Sequence, residues 1–450
     1  MSSAAPLRTL LRLAAPMVVA RASQSVITFA DAIQVKHLGF RAIAATATGG
    51  LNVMGFVIPA MGTVFIIQSF VAQLAGRGDR DQAPRFAWYG LAIALGAALI
   101  AAAAIPLIGP ALAHTSYSPA VRDQMADYMA IRMTSIFAIV GVEALGNWYG
   151  GLGNTRMQMA AGLITMVAAV VLNWVLIGGH LGAPAMGVNG AALASTIASF
   201  LGFAFLAIAF WRRLGGAPAT RATGLSLHEL RRVLRFGLPN GLNWFLEFAA
   251  FQLFVNVVLA NLGDATVAAL NVVIAINSIS FMPAFGLASA GAILAGQAIG
   301  RGDRAAVWPQ VKATLTCTMV WMGAIGATYL VVPGQLLSLF ASDRSGELVA
   351  IGTTMLVISA AWQLTDAIGI TLAEALRAAG DTAWTAAARL VLAWFVFTPA
   401  AFLVVLRLGG GPAGAMLCLV GYLILLASAL AWRFRSGAWR RIELIEPALL

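Results

Sequence analysis

The pentapeptide Gly-Arg-Gly-Asp-Arg occurs twice in this chain of 450 residues, at 76–80 and at 300–304. The offset of 224 aligns 37–80 with 261–304 without a gap, and 13 of these 44 aligned pairs are identical. Two copies of one unit are expected to fold alike, so this repeat constrains the architecture more than any single motif does. The sequence therefore predicts two structurally similar halves.

The composition places both halves in a membrane. Hydrophobic residues make up 60% of the chain and charged residues only 10%, whereas a soluble protein has about 25% charged residues. Apolar runs recur that are long enough to cross a bilayer. We predict an all-α integral membrane protein with twelve transmembrane spans in two pseudo-symmetric six-helix bundles, at 9–35, 42–74, 86–109, 124–150, 157–180, 187–211, 231–260, 266–298, 309–333, 347–376, 384–406 and 413–434. Duplicated apolar halves are typical of secondary transporters.

The positive charge of the chain indicates its orientation. With the N-terminus inside, 21 of the 28 Lys and Arg residues fall on the cytoplasmic side of these spans and 5 on the opposite side. This bias predicts a multi-pass protein of a bacterial cytoplasmic (inner) membrane with both termini in the cytoplasm. The net charge of +11 is explained by this bias, so we do not expect nucleic acid as a partner.

A polar segment separates the two halves. We predict an N-terminal bundle over 1–211, a cytoplasmic linker over 212–235 and a C-terminal bundle over 236–450. In the second part of the linker, apolar residues alternate with basic ones. This pattern predicts a short amphipathic helix on the inner membrane surface. We expect a monomer.

Acidic residues inside the spans suggest the function. Five of them lie well within the spans: Asp31, Glu143, Glu247, Asp366 and Glu374. A carboxylate at the bilayer centre costs about 2.5–3.5 kcal/mol, and only Arg21 and Arg132 are predicted as bases within spans. Some of the acids are therefore expected to bind protons, metal ions or a cationic substrate. Asp31, Glu247 and Asp366 have no acidic counterpart in the other half, as expected of site residues.

The remaining two acids have bases nearby in the sequence. Glu143 and Glu374 lie toward the cytoplasmic ends of their spans, close to Arg156 and Arg377 respectively. We predict that they form local pairs with these bases.

Other residues in the spans are candidates for lining a substrate or cation site. Asn243 and Phe251 lie four residues to either side of Glu247, on the same helical face. Phe251 either offers a cation–π surface or packs in the core. Trp362 lies one turn before Asp366. Asn173 and Asn277 either line the site or form hydrogen bonds between helices.

The sequence favours no enzymatic activity. It has no Gly-rich phosphate loop and no nucleophile–base constellation, and its two cysteines, Cys317 and Cys418, lie far apart in apolar spans. We therefore predict that the protein is not an enzyme and needs no cofactor beyond a coupling ion.

Several motifs resemble those of the MATE (multidrug and toxic compound extrusion) transporters over essentially the whole chain. They are Ala-Pro at 15–16, Leu-Pro at 238–239, Thr-Phe-Ala-Asp-Ala at 28–32, Gly-Leu-Gly-Asn-Thr-Arg at 151–156 and Arg-Ala-Ala-Gly-Asp-Thr at 377–382. Glu247 in Phe-Leu-Glu-Phe and Asp366 in Gln-Leu-Thr-Asp-Ala resemble the carboxylate pair of the NorM-like branch.

This resemblance implies export of small organic cations and drugs by alternating access, driven by Na⁺ or H⁺. It implies cation-site roles for Glu247 and Asp366 in one half and for Asp31 with Asn173 in the other. We expect the first two to approach each other and share one cation, with Na⁺ as the possible metal. Another branch has a second acid four residues after the Asn, where this chain has Ile177; its kind of N-terminal site is not implied.

Three other functions remain as alternatives. A lipid-linked oligosaccharide flippase of the same fold superfamily would favour buried Arg for its pyrophosphate, whereas this chain buries mostly acids. A channel is disfavoured because repeated polar rings are missing, and an integral-membrane enzyme because catalytic groups are missing.

Overall fold

The computed structural model describes residues 4–115, 117–218, 224–338 and 346–445. All regular secondary structure in these residues is helical. The α-helices are α1 (Ala4–Val35), α2 (Phe40–Val64), α3 (Ile67–Arg77), α4 (Ala83–Ala104), α5 (Ile108–Ala113), α6 (Pro119–Met133), α7 (Ile136–Gly151), α8 (Thr155–Gly178), α9 (Gly187–Trp211), α10 (Leu227–Leu253), α11 (Asp264–Gly300), α12 (Val307–Val331), α13 (Pro333–Ser338), α14 (Gly346–Ala378), α15 (Thr382–Leu390), α16 (Thr398–Phe402) and α17 (Gly411–Arg435). Three π-helical segments lie at Phe254–Val258, Val391–Phe397 and Leu403–Arg407.

The helices confirm the predicted membrane spans. In the described ranges, eleven helical stretches are long and apolar enough to cross a membrane. The bent pair α6 and α7 together make a twelfth. Each corresponds to one predicted span, so the chain is a multi-pass, all-α membrane protein.

The fourth span differs from the continuous helix that was expected over 124–150. Its two helices meet at a bend of 41°. At the break, the hydroxyl of Thr134 donates to the carbonyl of Ile131 and that of Ser135 donates to the carbonyl of Arg132, both at 2.6 Å. Hydroxyl groups bonded back to the preceding turn compete with the helical ladder and bend helices.

The backbone contacts divide the chain into two units. One is Val19–Gly241, and the other combines the residues before Val19 with those from Leu242 onward. We call them the N-terminal unit and the C-terminal unit. Helices α1 and α10 pass from one unit to the other, and each has a proline, Pro16 or Pro239, two residues before the point of passage. Each proline removes one backbone donor from its helix.

The predicted linker is only partly described. Its segment 219–223 lies outside the described residues. The amphipathic stretch is the first part of α10, which continues without a break through Pro239 to Leu253. Its placement on the membrane surface stays a prediction.

The sequence repeat corresponds to a repeated helix end. In the two pentapeptide copies, Gly78 and Gly302 have φ of +94° and +77°. The amide of the Asp that follows donates to the carbonyl five residues earlier, at 3.0 Å and 3.1 Å. Gly153 and Gly380 repeat this geometry, with φ of +85° and +87° and equivalent bonds of 2.9 Å in both copies. Only glycine adopts such φ values without cost. This explains why both copies of the repeat have Gly at this position.

Candidate ion and substrate sites

The N-terminal unit brings together two predicted site residues, Asp31 of α1 and Asn173 of α8. The side-chain amide of Asn173 donates a short hydrogen bond to Asp31 Oδ1. Because a neutral amide cancels no charge, Asp31 keeps its need for a counter-cation or a proton. Arg132 and Tyr128 lie within electrostatic reach of this carboxylate.

Two buried oxygen atoms on α1 and α8 have no hydrogen bond to any described residue. They are Oδ1 of Asn173 and Oε1 of Gln34. Gln34 follows Asp31 by three residues on α1, and its amide nitrogen donates to the carbonyl of Val170 on α8 at 3.3 Å. Carboxylate and amide oxygens are the ligands that hard cations prefer. The set could therefore hold a small cation.

An ion pair in this unit is buried and bonded on both carboxylate oxygens. Arg21 of α1 donates to both carboxylate oxygens of Glu143 on α7, at 3.1 Å and 3.2 Å. The side chains are only 5% and 6% exposed. The ring of Phe65 lies 5.2 Å from the guanidinium carbon. The prediction that Glu143 pairs locally with Arg156 is therefore wrong: its partner is 122 residues away, since the rotation of α1 turns Arg21 toward α7.

In the C-terminal unit, Glu247 of α10 is also paired with a base. Arg389 of α15 donates to Glu247 Oε2 at 2.6 Å, and the hydroxyl of Tyr422 on α17 donates to Oε1 at 3.2 Å. The side chains of Arg389 and Glu247 are 17% and 35% exposed, so this pair is more accessible than the one in the N-terminal unit.

Asp366 of α14 lies near the same group. It is within electrostatic reach of both Arg389 and Glu247. Within the described ranges its carboxylate makes no hydrogen bond or ion pair. The structure thus places two acids around one guanidinium.

The predicted lining residues have different surroundings. Asn243 is buried, one turn before Glu247. Phe251 and Trp362 pack in the apolar core of the C-terminal unit, the latter 8% exposed. Asn277 is engaged between helices: it donates to Ser359 Oγ at 3.3 Å and accepts from the amide of Gln363 at 2.7 Å.

Sequence reasoning missed two bases within the spans. Arg389 lies inside the predicted span 384–406 but was counted among the 21 cytoplasmic bases, and the structure has it in the membrane-crossing stretch Thr382–Arg407. Arg377 lies within Gly346–Ala378 and pairs with Glu374 at 2.5 Å. The predicted local pair of Glu374 and Arg377 is confirmed. The expected shortage of bases is corrected, because three of the five acids have an Arg partner. Arg389 follows the first residue of α15, Thr382, by seven residues. This distance from the helix start could have indicated that Arg389 lies inside the span.

No three His, Cys, Asp or Glu side chains cluster as a metal site in the part of the chain that the structure describes. A metal held by Glu247 and Asp366 would have to share them with Arg389.

Comparisons with known proteins agree with this architecture. The sequence profile of the MatE family matches residues 16–175 and 242–403. A "Probable multidrug resistance protein NorM" of Rhizobium meliloti is 28% identical over 441 residues, covering 95% of this chain and 92% of that protein. The "Multidrug resistance protein NorM" of Aliivibrio fischeri is 25% identical, covering 87% and 85%.

Solved structures show the same fold. A crystal structure of MATE in complex with MaL6 superposes with a TM-score of 0.89 at 21% identity, covering 97% of this chain and 98% of that one. An outward-facing multidrug resistance MATE family transporter of the MOP superfamily gives a TM-score of 0.84 at 20% identity, covering 97% of each chain. The family match and the relatives named as multidrug resistance proteins agree with the prediction that the chain is a transporter and not an enzyme. The duplicated sequence, the twelve spans and the profile match over both halves together show that this chain belongs to the MatE family and resembles its NorM-like members.

Proposed function

We propose that the protein exports drugs and other small organic cations from the cytoplasm in exchange for Na⁺ or H⁺. The observation that carries this proposal is Asp31, an acid in an apolar helix whose hydrogen-bond donor is the neutral amide of Asn173. Such a carboxylate costs about 2.5–3.5 kcal/mol in a membrane unless a cation or a proton neutralises it. A group that must bind a cation and can alternate between ions is suited to coupling.

The names of the relatives support the substrate class. Proteins similar over most of their length are called multidrug resistance proteins. The aromatic and acidic side chains around Glu247 suit organic cations, which combine an apolar body with a positive charge. The flippase alternative gains no support, since the buried guanidinium groups of Arg21, Arg377 and Arg389 all face carboxylates.

We further propose a cytoplasmic-membrane location with both termini inside. A single cysteine at Ser436, after replacement of Cys317 and Cys418, tests this orientation. The orientation requires labelling by an impermeant maleimide in inside-out vesicles and none in intact cells. Labelling from outside would overturn it.

Export itself is tested by expressing the protein in cells that lack their own exporters and measuring accumulation of the fluorescent cation ethidium. Cells with the protein should accumulate less dye, and cells with Asp31→Asn should match the empty vector. Asp123→Asn, which changes an exposed acid of α6, is the matched control and should export normally. Equal accumulation with and without the protein would contradict the proposal.

A further inference from the structure

The C-terminal unit already contains a cation at its acids. Arg389 Nη1 lies 2.6 Å from Glu247 Oε2, and Tyr422 donates to the other oxygen at 3.2 Å. Both carboxylate oxygens of Glu247 are thus occupied by donors from two other helical elements. Each oxygen keeps a second lone pair, but a Na⁺ ion bound to it would lie beside the positive charge of Arg389.

The charge count limits what this cluster binds. Glu247 and Asp366 carry two negative charges, and Arg389 lies within electrostatic reach of both. One guanidinium leaves one negative charge on the group. A single proton or a single monovalent cation completes the neutralisation, so the charge count alone does not distinguish H⁺ from Na⁺.

The repeat shows that the scaffold brings these two positions together. Glu247 aligns with Ser23 at the offset of 224, and Arg389 aligns with Gly162 when Gly380 is placed on Gly153. In the N-terminal unit a Cβ on Gly162 would lie 3.0 Å from Ser23 Oγ. The two equivalent positions are therefore close together in both units. Only in the C-terminal unit are they occupied by oppositely charged residues, Glu247 and Arg389.

The neighbouring backbone fixes the two helices that carry the pair. The indole of Trp394, in the π-helical segment that follows α15, donates to the carbonyl of Leu246 at 3.1 Å. This bond holds the residue before Glu247 against the chain that follows Arg389. π-Helical segments are frequent at functional sites because they re-aim side chains.

We propose that Arg389 is a resident counter-cation that determines ion specificity: its guanidinium takes the place of a metal ion at Glu247, which excludes Na⁺ and leaves the remaining charge of Glu247 and Asp366 to one proton. This inference rests on the proposed function, which assigns coupling to these acids. Arg389 supplies the positive charge that a bound metal ion would otherwise supply. The substrate cation competes with Arg389 for the carboxylates.

The test measures Na⁺ binding by purified protein, so it does not depend on transport. All variants carry Asp31→Asn to remove the N-terminal acid. Melting temperature at fixed pH and ionic strength is compared in NaCl and KCl, because a ligand that binds the folded state raises it. The background protein should show no Na⁺-specific shift, and adding Arg389→Gln should produce one.

Three further variants sharpen the result. Arg389→Lys keeps the charge and should show no Na⁺-specific shift. Arg389→Gln combined with Glu247→Gln should lose the shift again. Arg21→Gln opens the charged pair of the N-terminal unit instead, so a Na⁺ shift there should be unaffected by Glu247→Gln.

Either of two results would overturn the proposal. One is a Na⁺-specific shift in the background protein that Glu247→Gln abolishes, which would show that Na⁺ binds beside Arg389. The other is a monodisperse, cooperatively melting Arg389→Gln protein without a Na⁺ shift. If Arg389→Gln does not fold, the Na⁺-specific shift in melting temperature is compared between the background protein and the same protein with Glu247→Gln. A shift that only the background protein shows would still overturn the proposal. Absence of ethidium export by the wild-type protein would refute the proposed function without changing these binding results.

Discussion

The two units contain the same kinds of charged groups in different arrangements. Apart from the Glu374–Arg377 pair of the C-terminal unit, each unit has one span acid bound directly by an Arg and one acid without such a bond. In the N-terminal unit, Arg21 donates to both carboxylate oxygens of Glu143 in a buried pair. Asp31 accepts a hydrogen bond from the side-chain amide of Asn173. In the C-terminal unit, Arg389 makes one bond to the more exposed Glu247 and also faces Asp366.

We infer from this difference that Arg21 and Glu143 form a structural pair, whereas Arg389 and Glu247 take part in the proposed transport. A buried bidentate pair that is 5–6% exposed has little freedom to exchange partners, since opening it leaves an unpaired charge in low dielectric. A singly bonded pair with 35% exposure on the acid can exchange its partner for a ligand. The two halves thus share one helical scaffold, but the charged residues placed on it differ between them.

The largest expected effect concerns Asp31, the acid of the N-terminal unit that no Arg bonds directly within the described residues. Asp31→Asn should reduce export to the level of protein-free controls, because it removes the charge that binds the coupling ion. The protein should still insert, since losing a buried charge eases insertion. Normal ion-driven export by a correctly inserted Asp31→Asn protein would make Asp31 a structural residue.

Stability should distinguish the two paired acids. Arg21→Ala should destabilise the fold by about 3–5 kcal/mol, as breaking a buried pair does. Arg389→Ala should cost less, about 1.5–3 kcal/mol, the usual contribution of a hydrogen bond to a charged group. Chemical denaturation in detergent measures both. A larger loss for Arg389→Ala would reverse the assignment of structural and functional pairs.

The two C-terminal acids should act as a unit. Glu247→Gln and Asp366→Asn should each impair ion-dependent export, and the double variant should be little worse than either, with a coupling energy of about 0.5–3 kcal/mol. Initial export rates of the wild type and of the three variants give this energy. Additive losses would mean that the two acids do not share Arg389 or a ligand.

The smallest expected effect lies at the aromatic residue one turn after Glu247. Phe251→Leu preserves apolar packing but removes a cation–π surface worth about 0.5–1 kcal/mol. The apparent affinity for a cationic dye should fall roughly 2–5-fold, while that for a neutral substrate should not change. Equal effects on both would assign Phe251 to packing.

The fold followed from features that are local or repeated in the sequence. Length and hydropathy predict the twelve spans, and the offset of 224 predicts the equivalent helix ends. The bend at Thr134 and Ser135 was not predicted, because hydroxyl groups in a helix bond either to the preceding turn or to other helices.

The partners of the acids could not be predicted as reliably. Glu374 and Arg377 are three residues apart on one helix, and helical spacing identifies such a pair. Glu247 and Arg389 are 142 residues apart. Their meeting depends on how α10 and α15 are rotated and packed, and no sequence period encodes that.

The most direct test of the central claim is efflux of an organic cation from proteoliposomes under separate ΔpH and ΔNa⁺ gradients. Ion-coupled export predicts transport that is driven by at least one gradient and no transport without a gradient. Asp31→Asn should abolish driven transport, and Glu247→Gln should impair it whichever ion drives it. Transport that proceeds equally with and without both gradients, or that is unchanged in Asp31→Asn, would contradict ion coupling through these buried acids.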